Sequence, residues 1–235
     1  MVRCLPPAPG SRGGGWTPLR LTSLIRWYSA SAITGLASGD PLALWPDSAS
    51  SPANAVQATT SRKPTYLDNQ VNGHAAVSFD GVDDTMAFTA TNLGTANTGF
   101  MVVRFTSLHT PGSLIDYVVG TNSSGYQLAI DAGTLFYNAG STVSESQALA
   151  INTWYILAVR RTGTAVEFFL DGAQAGSTQI SGTNFDLITS VLGSRDNGTS
   201  VLDGKLAESL QFNTALSDDE MFLVWNYLNG RYQVY

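Results

Sequence analysis

The stretch Asn72-Gly-His-Ala-Ala-Val-Ser-Phe-Asp-Gly-Val-Asp-Asp84 decides the fold. Between His74 and Asp80, Ala75, Val77 and Phe79 face one way and Ala76, Ser78 and Asp80 face the other. An alternation of period two is the mark of a strand that buries one face. The turn Asp80-Gly81-Val82-Asp83-Asp84 follows, and Met86 and Phe88 resume the pattern beyond it.

The same period recurs outward along the chain. Gly99–Ser107 places Met101, Val103 and Phe105 on one face, and Gly125–Asp131 does so with Tyr126, Leu128 and Ile130. Trp154–Arg161 is apolar on both faces, which predicts a central strand. Ala165–Asp171 sets Val166, Phe168 and Leu170 inward and turns at Asp171-Gly172, and Lys205–Asn213 closes the series. Strands at intervals of about 8–12 residues, separated by Gly, Asn, Asp and Ser turns, predict an all-β sandwich or barrel. Upstream, Leu24–Tyr28 is a short aromatic strand. A long irregular excursion then runs to about Pro64, pinned by Trp45. One helix is predicted. Ser217-Asp-Asp-Glu220 is a capping box whose acids suit the positive helix N-terminus. Met221, Val224, Trp225 and Leu228 form one apolar stripe, with Gly230 as the stop.

The chain has 235 residues with 12 basic and 18 acidic side chains, a net charge of −6, and only 13% of it is charged. The usual charged share is about 25%. At 43% hydrophobic residues it is too apolar for a disordered chain. An acidic chain without a Lys/Arg stripe lacks the phosphate neutralisation that nucleic-acid binding needs, so no nucleic-acid partner is expected. No apolar run approaches the length of about 20 residues that spans a bilayer, and the first 20 residues hold no signal-peptide core. No membrane association is expected. Cys4 is the only cysteine and there are two histidines, which excludes an intrachain disulfide and a Cys/His zinc site. The sequons at Asn122 and Asn197 read as chance matches.

Residues 1–20 contain four prolines, four glycines, three arginines and no acid. This stretch reads as an extended arm, with Trp16 as its one large anchor, and residues 21–235 as the domain. Taking the arm's three arginines from the 12 basic residues leaves nine against 18 acids, so the body carries −9.

Four segments carry a resemblance to the LamG-like, concanavalin A-like jelly-roll family. They are Trp16–Ala30; Leu44-Trp45-Pro46-Asp47-Ser48 with Ser61–Tyr66; Asn72-Gly73 running into Val77–Asp84; and Gly204–Asn213 with Ala215–Glu220. Together they bracket residues 16–235. The resemblance implies a two-sheet antiparallel jelly-roll sandwich with an extended N-terminal arm and one C-terminal helix. Family members are commonly adhesive or glycan-binding modules, and many occur in bacteriophage structural proteins. Fold alone does not fix a role.

Glucanases of this fold carry closely spaced carboxylates on one strand, about 5 Å apart. Here the comparable strand offers Glu167 and Asp171, roughly 13 Å apart along a strand, so no catalytic pair is expected and the chain is read as a non-enzyme. Asp80, Asp83 and Asp84 are the candidate metal ligands: three acids on a Gly-containing turn suit Ca²⁺, which takes six to eight oxygens. Glu208 shares parity with Leu206, Leu210 and Phe212, so its carboxylate is expected in the sandwich interior, paired with an arginine such as Arg160 or with backbone amides. His74 and His109 read as surface or strand-edge residues. Gly193-Ser-Arg-Asp-Asn-Gly198 is a polar turn on the rim.

The functional expectation is a non-enzymatic virion structural protein, such as a phage capsid decoration, fibre or tail component. The jelly-roll would be displayed outward, the arm would bind other virion proteins, and surface glycans would be a further partner. A homo-oligomer in the virion is expected. The alternative is an extracellular or cell-surface carbohydrate-binding module.

Overall fold

The computed structural model describes residues 15–107, 116–120, 127–131, 134–138, 142–146, 149–181, 187–195 and 199–235. In chain order the strands are β1 (Leu24–Ser29), β2 (Leu44–Trp45), β3 (Ala55–Val56), β4 (Thr65–Val71), β5 (His74–Asp80), β6 (Met86–Gly94), β7 (Ala96–Phe105), β8 (Asp116–Gly120) and β9 (Gln127–Asp131). They continue with β10 (Thr134–Asn138), β11 (Thr142–Ser146), β12 (Trp154–Thr162), β13 (Ala165–Leu170), β14 (Ala173–Ile180), β15 (Leu187–Leu192), β16 (Ser194–Arg195), β17 (Thr199–Val201) and β18 (Asp203–Phe212), and helix α1 (Asp218–Tyr232) follows.

Two antiparallel sheets of eight strands face one another. The first runs β14-β13-β12-β7-β18-β5-β4, with β1 added along the second half of β18. The second runs β11-β10-β9-β8-β15-β6-β3-β2, and β16 and β17 form a short ribbon. Between the sheets lies the main core. It takes Val77, Phe79, Val103 and Phe168 from one sheet and Trp45, Met86, Phe88 and Leu192 from the other. Val77, Phe79, Met86, Phe88, Val103 and Phe168 are positions that the period-two pattern selects. The irregular excursion is indeed pinned by Trp45, which is fully buried, and it holds the short pair β2–β3. The expected alternation of Tyr126, Leu128 and Ile130, and His109, lie outside the residues whose side chains are described.

The middle of the first sheet is buried on both faces. Ala76, Phe100, Val102, Ile156 and Ala158 point away from the sandwich and are covered by Met221, Val224, Trp225 and Leu228 of α1. The capping box forms as the sequence predicts: Ser217 Oγ accepts from the Glu220 amide, and Glu220 reaches back to the Ser217 amide at 2.8 Å. Each apolar side chain the helix buries is worth roughly 1.5–3 kcal/mol, so tertiary packing holds it more than propensity does. Gly230 does not end the helix. The helix runs on to Tyr232 and closes on Gln233 in the left-handed region at φ 50°, because Arg231 and Tyr232 are drawn to a carboxylate beneath them. The covered layer also takes in residues before β1: Pro18 is buried and Trp16 sets its ring edge on Tyr227 at 6.1 Å.

Candidate functional site

β5 ends at Asp80 because the chain turns there on Gly81, whose φ is +75°. A Cβ on Gly81 would lie 2.8 Å from Asp203 Cβ, so only glycine lets this turn pass β18. Asp80 Oδ1 accepts from the amides of Val82 (2.8 Å) and Asp83 (3.3 Å), and Asp84 Oδ2 accepts from the Asp80 amide at 3.0 Å. The loop is fastened from outside by Arg62, whose Nε donates to the Asp83 carbonyl at 3.3 Å, and by the Gly81 amide on the Leu202 carbonyl at 3.1 Å.

This geometry brings one oxygen each of Asp80, Asp83 and Asp84 within 4.8 Å of one another. Asp80 is exposed, Asp83 is half-buried and Asp84 is only 5% exposed. Burial and the neighbouring Asp80 and Asp83 charges push the Asp84 carboxyl up to about 6. An oxygen-only cluster of this kind suits a hard cation such as Ca²⁺, which would supply the positive charge that the three acids lack. The three candidate ligands of the sequence reading are therefore together. Beside them, Thr85 Oγ1 and Ser194 Oγ meet at 2.6 Å in a buried contact, which ties the β16 end of the polar turn to the loop.

The glucanase-like strand β13 offers no free acid pair. Glu167 is held by Arg160 at 2.7 Å. Asp171 accepts from the Ile156 amide at 2.8 Å and sits at a hairpin turn with φ 48°. Arg160 also reaches Asp218 at 2.7 Å, so it is not the partner of Glu208.

Glu208 lies on the opposite side of the sheet from the one its parity predicts. Its register against β7 slips between Leu206 and Glu208, so Ala207 is an extra residue in the strand. This bulge inverts the rest of β18. Leu206 stays in the inter-sheet core, while Leu210 and Phe212 turn outward under α1. The Glu208 carboxylate goes with them and is fully buried. It accepts from Trp27 Nε1 at 2.6 Å and from the Tyr232 hydroxyl, with Arg231 Nε at 3.6 Å. Burial pushes its carboxyl up, opposed by Tyr232, Arg231 and Trp27. A closed site of this kind fixes the helix. Sequence reasoning also passed over Asp47, which is buried and accepts from the amides of Trp27, Ala49 and Ala53 at 2.8–2.9 Å. Its place in the quoted Trp45-Pro46-Asp47-Ser48 segment was the available signal.

Among the described residues, no helix is long and apolar enough to cross a membrane. The family model of the concanavalin A-like lectin/glucanases superfamily matches residues 79–221. No curated protein sequence matches the chain. Among solved structures, the chain is similar to Trypanosoma rangeli sialidase in complex with sialic acid. That match has a TM-score of 0.61 at 14% identity over 94% of this chain and 35% of that one. It is similar to the botulinum neurotoxin serotype D binding domain, with a TM-score of 0.62 at 13% identity over 87% and 52% of the two chains. It is also similar to domain 4 of an extracellular arabinanase from Geobacillus stearothermophilus in complex with arabinotriose. There the TM-score is 0.55 at 14% identity over 84% and 95%. The chain thus spans about a third of the sialidase and nearly all of the arabinanase domain. At these identities the likeness is one of fold.

Proposed function

The chain belongs to the concanavalin A-like lectin/glucanase superfamily, and from that premise we propose that it is a non-enzymatic carbohydrate-binding module with a calcium-dependent rim at Asp80, Asp83 and Asp84. The observation that carries this reading is the carboxylate triad, gathered within 4.8 Å at the end of β5. A non-catalytic role is supported by Glu167 and Asp171, each committed to a structural partner. Solved structures of like fold include an arabinanase domain holding arabinotriose. We propose further that the domain is displayed on a virion through residues 1–20. Supporting this are the acid-free, arginine-bearing composition of that segment and the contact of Trp16 with Tyr227, which fastens its end to α1. Deletion of residues 1–14 that leaves particle incorporation intact would overturn the display reading.

The rim is tested by Asp84→Asn. The folded carboxyl at about 6 lies above the unfolded value of about 3.9, so the folded state holds this proton more tightly. Its contribution to stability is complete below about pH 4 and is lost as pH rises through 6. In chelator at pH 7 the asparagine variant is therefore expected to be more stable than the parent, by on the order of 2 kcal/mol, and equal to it near pH 4. Calcium in the millimolar range is expected to raise the melting temperature of the parent at pH 7 and leave the variant where it was. A parent whose melting temperature ignores calcium refutes the rim assignment.

A further inference from the structure

A second polar surface lies on the outer face of the first sheet, beyond the C-terminal end of α1. Cross-strand pairing sets Trp154 beside Arg104, Arg104 beside Lys205 and Lys205 beside Ser78, all in one row. Their strand neighbours Tyr155, Val103, Leu206 and Val77 point into the inter-sheet core, so this row points out, and each of its members is half-buried. The next row toward the helix is fully covered, whereas this one is only partly so, Trp154 packing against the edge of the covered layer. A groove of about 430 Å³ adjoins it, lined by Gln70, Asn72, Thr153, Trp154, Tyr232 and Gln233, among others.

Two features set this surface apart on a body of net charge −9. First, Arg104 and Lys205 are adjacent cations, and among the described residues no carboxylate pairs with either. Arg104 Nη2 donates to Asn152 Oδ1 and Lys205 Nζ to Gln70 Oε1, both at 2.6 Å and both to neutral amides, while Arg104 Nε is buried with no partner. Like charges directly across a sheet are destabilising. Burial and Arg104 both push the Lys205 ammonium down from its ordinary value. Second, the groove beside them sets the Trp154 and Tyr232 rings next to the primary amides of Gln70, Asn72 and Gln233, with Val71 and Val234 completing its wall.

Resting on the carbohydrate-binding reading, we propose that this surface binds an acidic saccharide bearing a carboxylate. The sugar ring lies against Trp154, its hydroxyls meet Gln70, Asn72, Thr153 and Gln233, and its carboxylate sits over Arg104 and Lys205. The charge divides in the same sense across the site. Sugar hydroxyls can donate to the electron-rich C-terminal end of α1, while the carboxylate keeps to the cationic side. Two cations followed by the neutral Ser78 and Thr65 match one carboxylate per sugar better than a densely sulfated chain. Asp80 lies two residues after Ser78 and its cross-strand partner Asp203 two residues before Lys205, so the surface abuts the proposed calcium rim and an excess of ligand charge there is disfavoured.

The test is calorimetric titration of the full chain, in calcium, with trigalacturonate, neutral galactotriose and a sulfated galactose trisaccharide. Trigalacturonate is expected to bind the parent at least about tenfold more tightly than either of the others. Arg104→Gln and Lys205→Gln are each expected to lose about tenfold or more for trigalacturonate, as for a charge-assisted contact, with galactotriose affinity unchanged and a melting temperature no lower than the parent's, since each relieves the like-charge pair. Trp154→Ala should weaken both carboxylated and neutral sugars. If the parent binds galactotriose as tightly as trigalacturonate, or if the double Gln variant keeps its trigalacturonate affinity, the acidic-saccharide inference falls while the carbohydrate-binding reading stands. Tighter binding of the sulfated sugar overturns the choice of a carboxylate. If none of the three binds, both readings fall.

Discussion

Replacing Glu208 by leucine is expected to cost about 3–5 kcal/mol and lower the melting temperature by roughly 10 °C. The carboxylate is fully buried, and four groups are arranged around it: Trp27 Nε1, the Tyr232 and Tyr227 hydroxyls and the Arg231 guanidinium. Leucine fills the space but leaves three donors and a cation facing it without that acceptor, each carrying a desolvation penalty. The loss falls on one seam, because Trp27 belongs to β1, Tyr232 to the last turn of α1 and Glu208 to the strand between them. Thermal melts followed by far-UV and near-UV dichroism check this, with loss of the α1 contribution expected first. Glu208→Gln keeps an acceptor for Trp27 and is expected to lose only about 1–2 kcal/mol. A leucine variant as stable as the parent would mean that the bulged strand does not hold the helix through this residue.

Gly193→Ala is the second large effect, at about 4 kcal/mol. Gly193 has φ +79°, and a Cβ there would lie 2.0 Å from a ring carbon of Phe79. Left-handed backbone costs a non-glycine residue about 1–3 kcal/mol. Forcing a methyl into a packed core costs a further 1–3 kcal/mol or so. Phe79 is 2% exposed and cannot swing into solvent. The control is Gly163→Ala, where φ is +60° and nothing lies within 4 Å of the added methyl. It should show the conformational cost alone, about 1 kcal/mol. The double variant Gly193→Ala with Phe79→Leu should regain part of the loss, a coupling expected only of residues in contact. Equal melting temperatures for the two alanine variants would contradict the close approach.

The second prediction also shows where the sequence was informative. Phe79 belongs to the alternating stretch that marks the fold, and its inward placement follows from period two alone. Gly193 reads in sequence as part of a polar rim turn, yet it is glycine because Phe79 presses on it from a strand more than 100 residues away. Val77, Met86, Phe88, Val103 and Phe168 in the inter-sheet core were legible in the same manner, as was the capped start of α1. The outer layer was harder to read. Once α1 covers the first sheet, positions such as Ala76, Phe100 and Ile156 are as apolar as their inward neighbours, and alternation no longer marks a face. The place of Glu208 was lost to one residue, since a single bulge at Ala207 exchanges inside for outside along the remainder of β18.

The candidate sites divide by the same rule. Asp80, Asp83 and Asp84 fall within five consecutive residues, so a local turn suffices to gather them, and the sequence indicates the cluster directly. Trp154, Arg104, Lys205 and Gln70 come from four strands and are joined only by sheet register. Nothing in their local sequence announces that they meet. Both arrangements lie at one end of the first sheet, where β5 and β18 run side by side. The proposed rim and the proposed saccharide surface therefore form neighbouring parts of one binding end.

The most direct measurement of the central claim is a glycan array probed with the full chain in millimolar calcium, again in chelator, and with the Asp84→Asn variant in calcium. The account predicts binding to saccharides in calcium that is lost in chelator and in the variant. An array on which the parent binds no saccharide in calcium, or binds equally well in chelator, would contradict it.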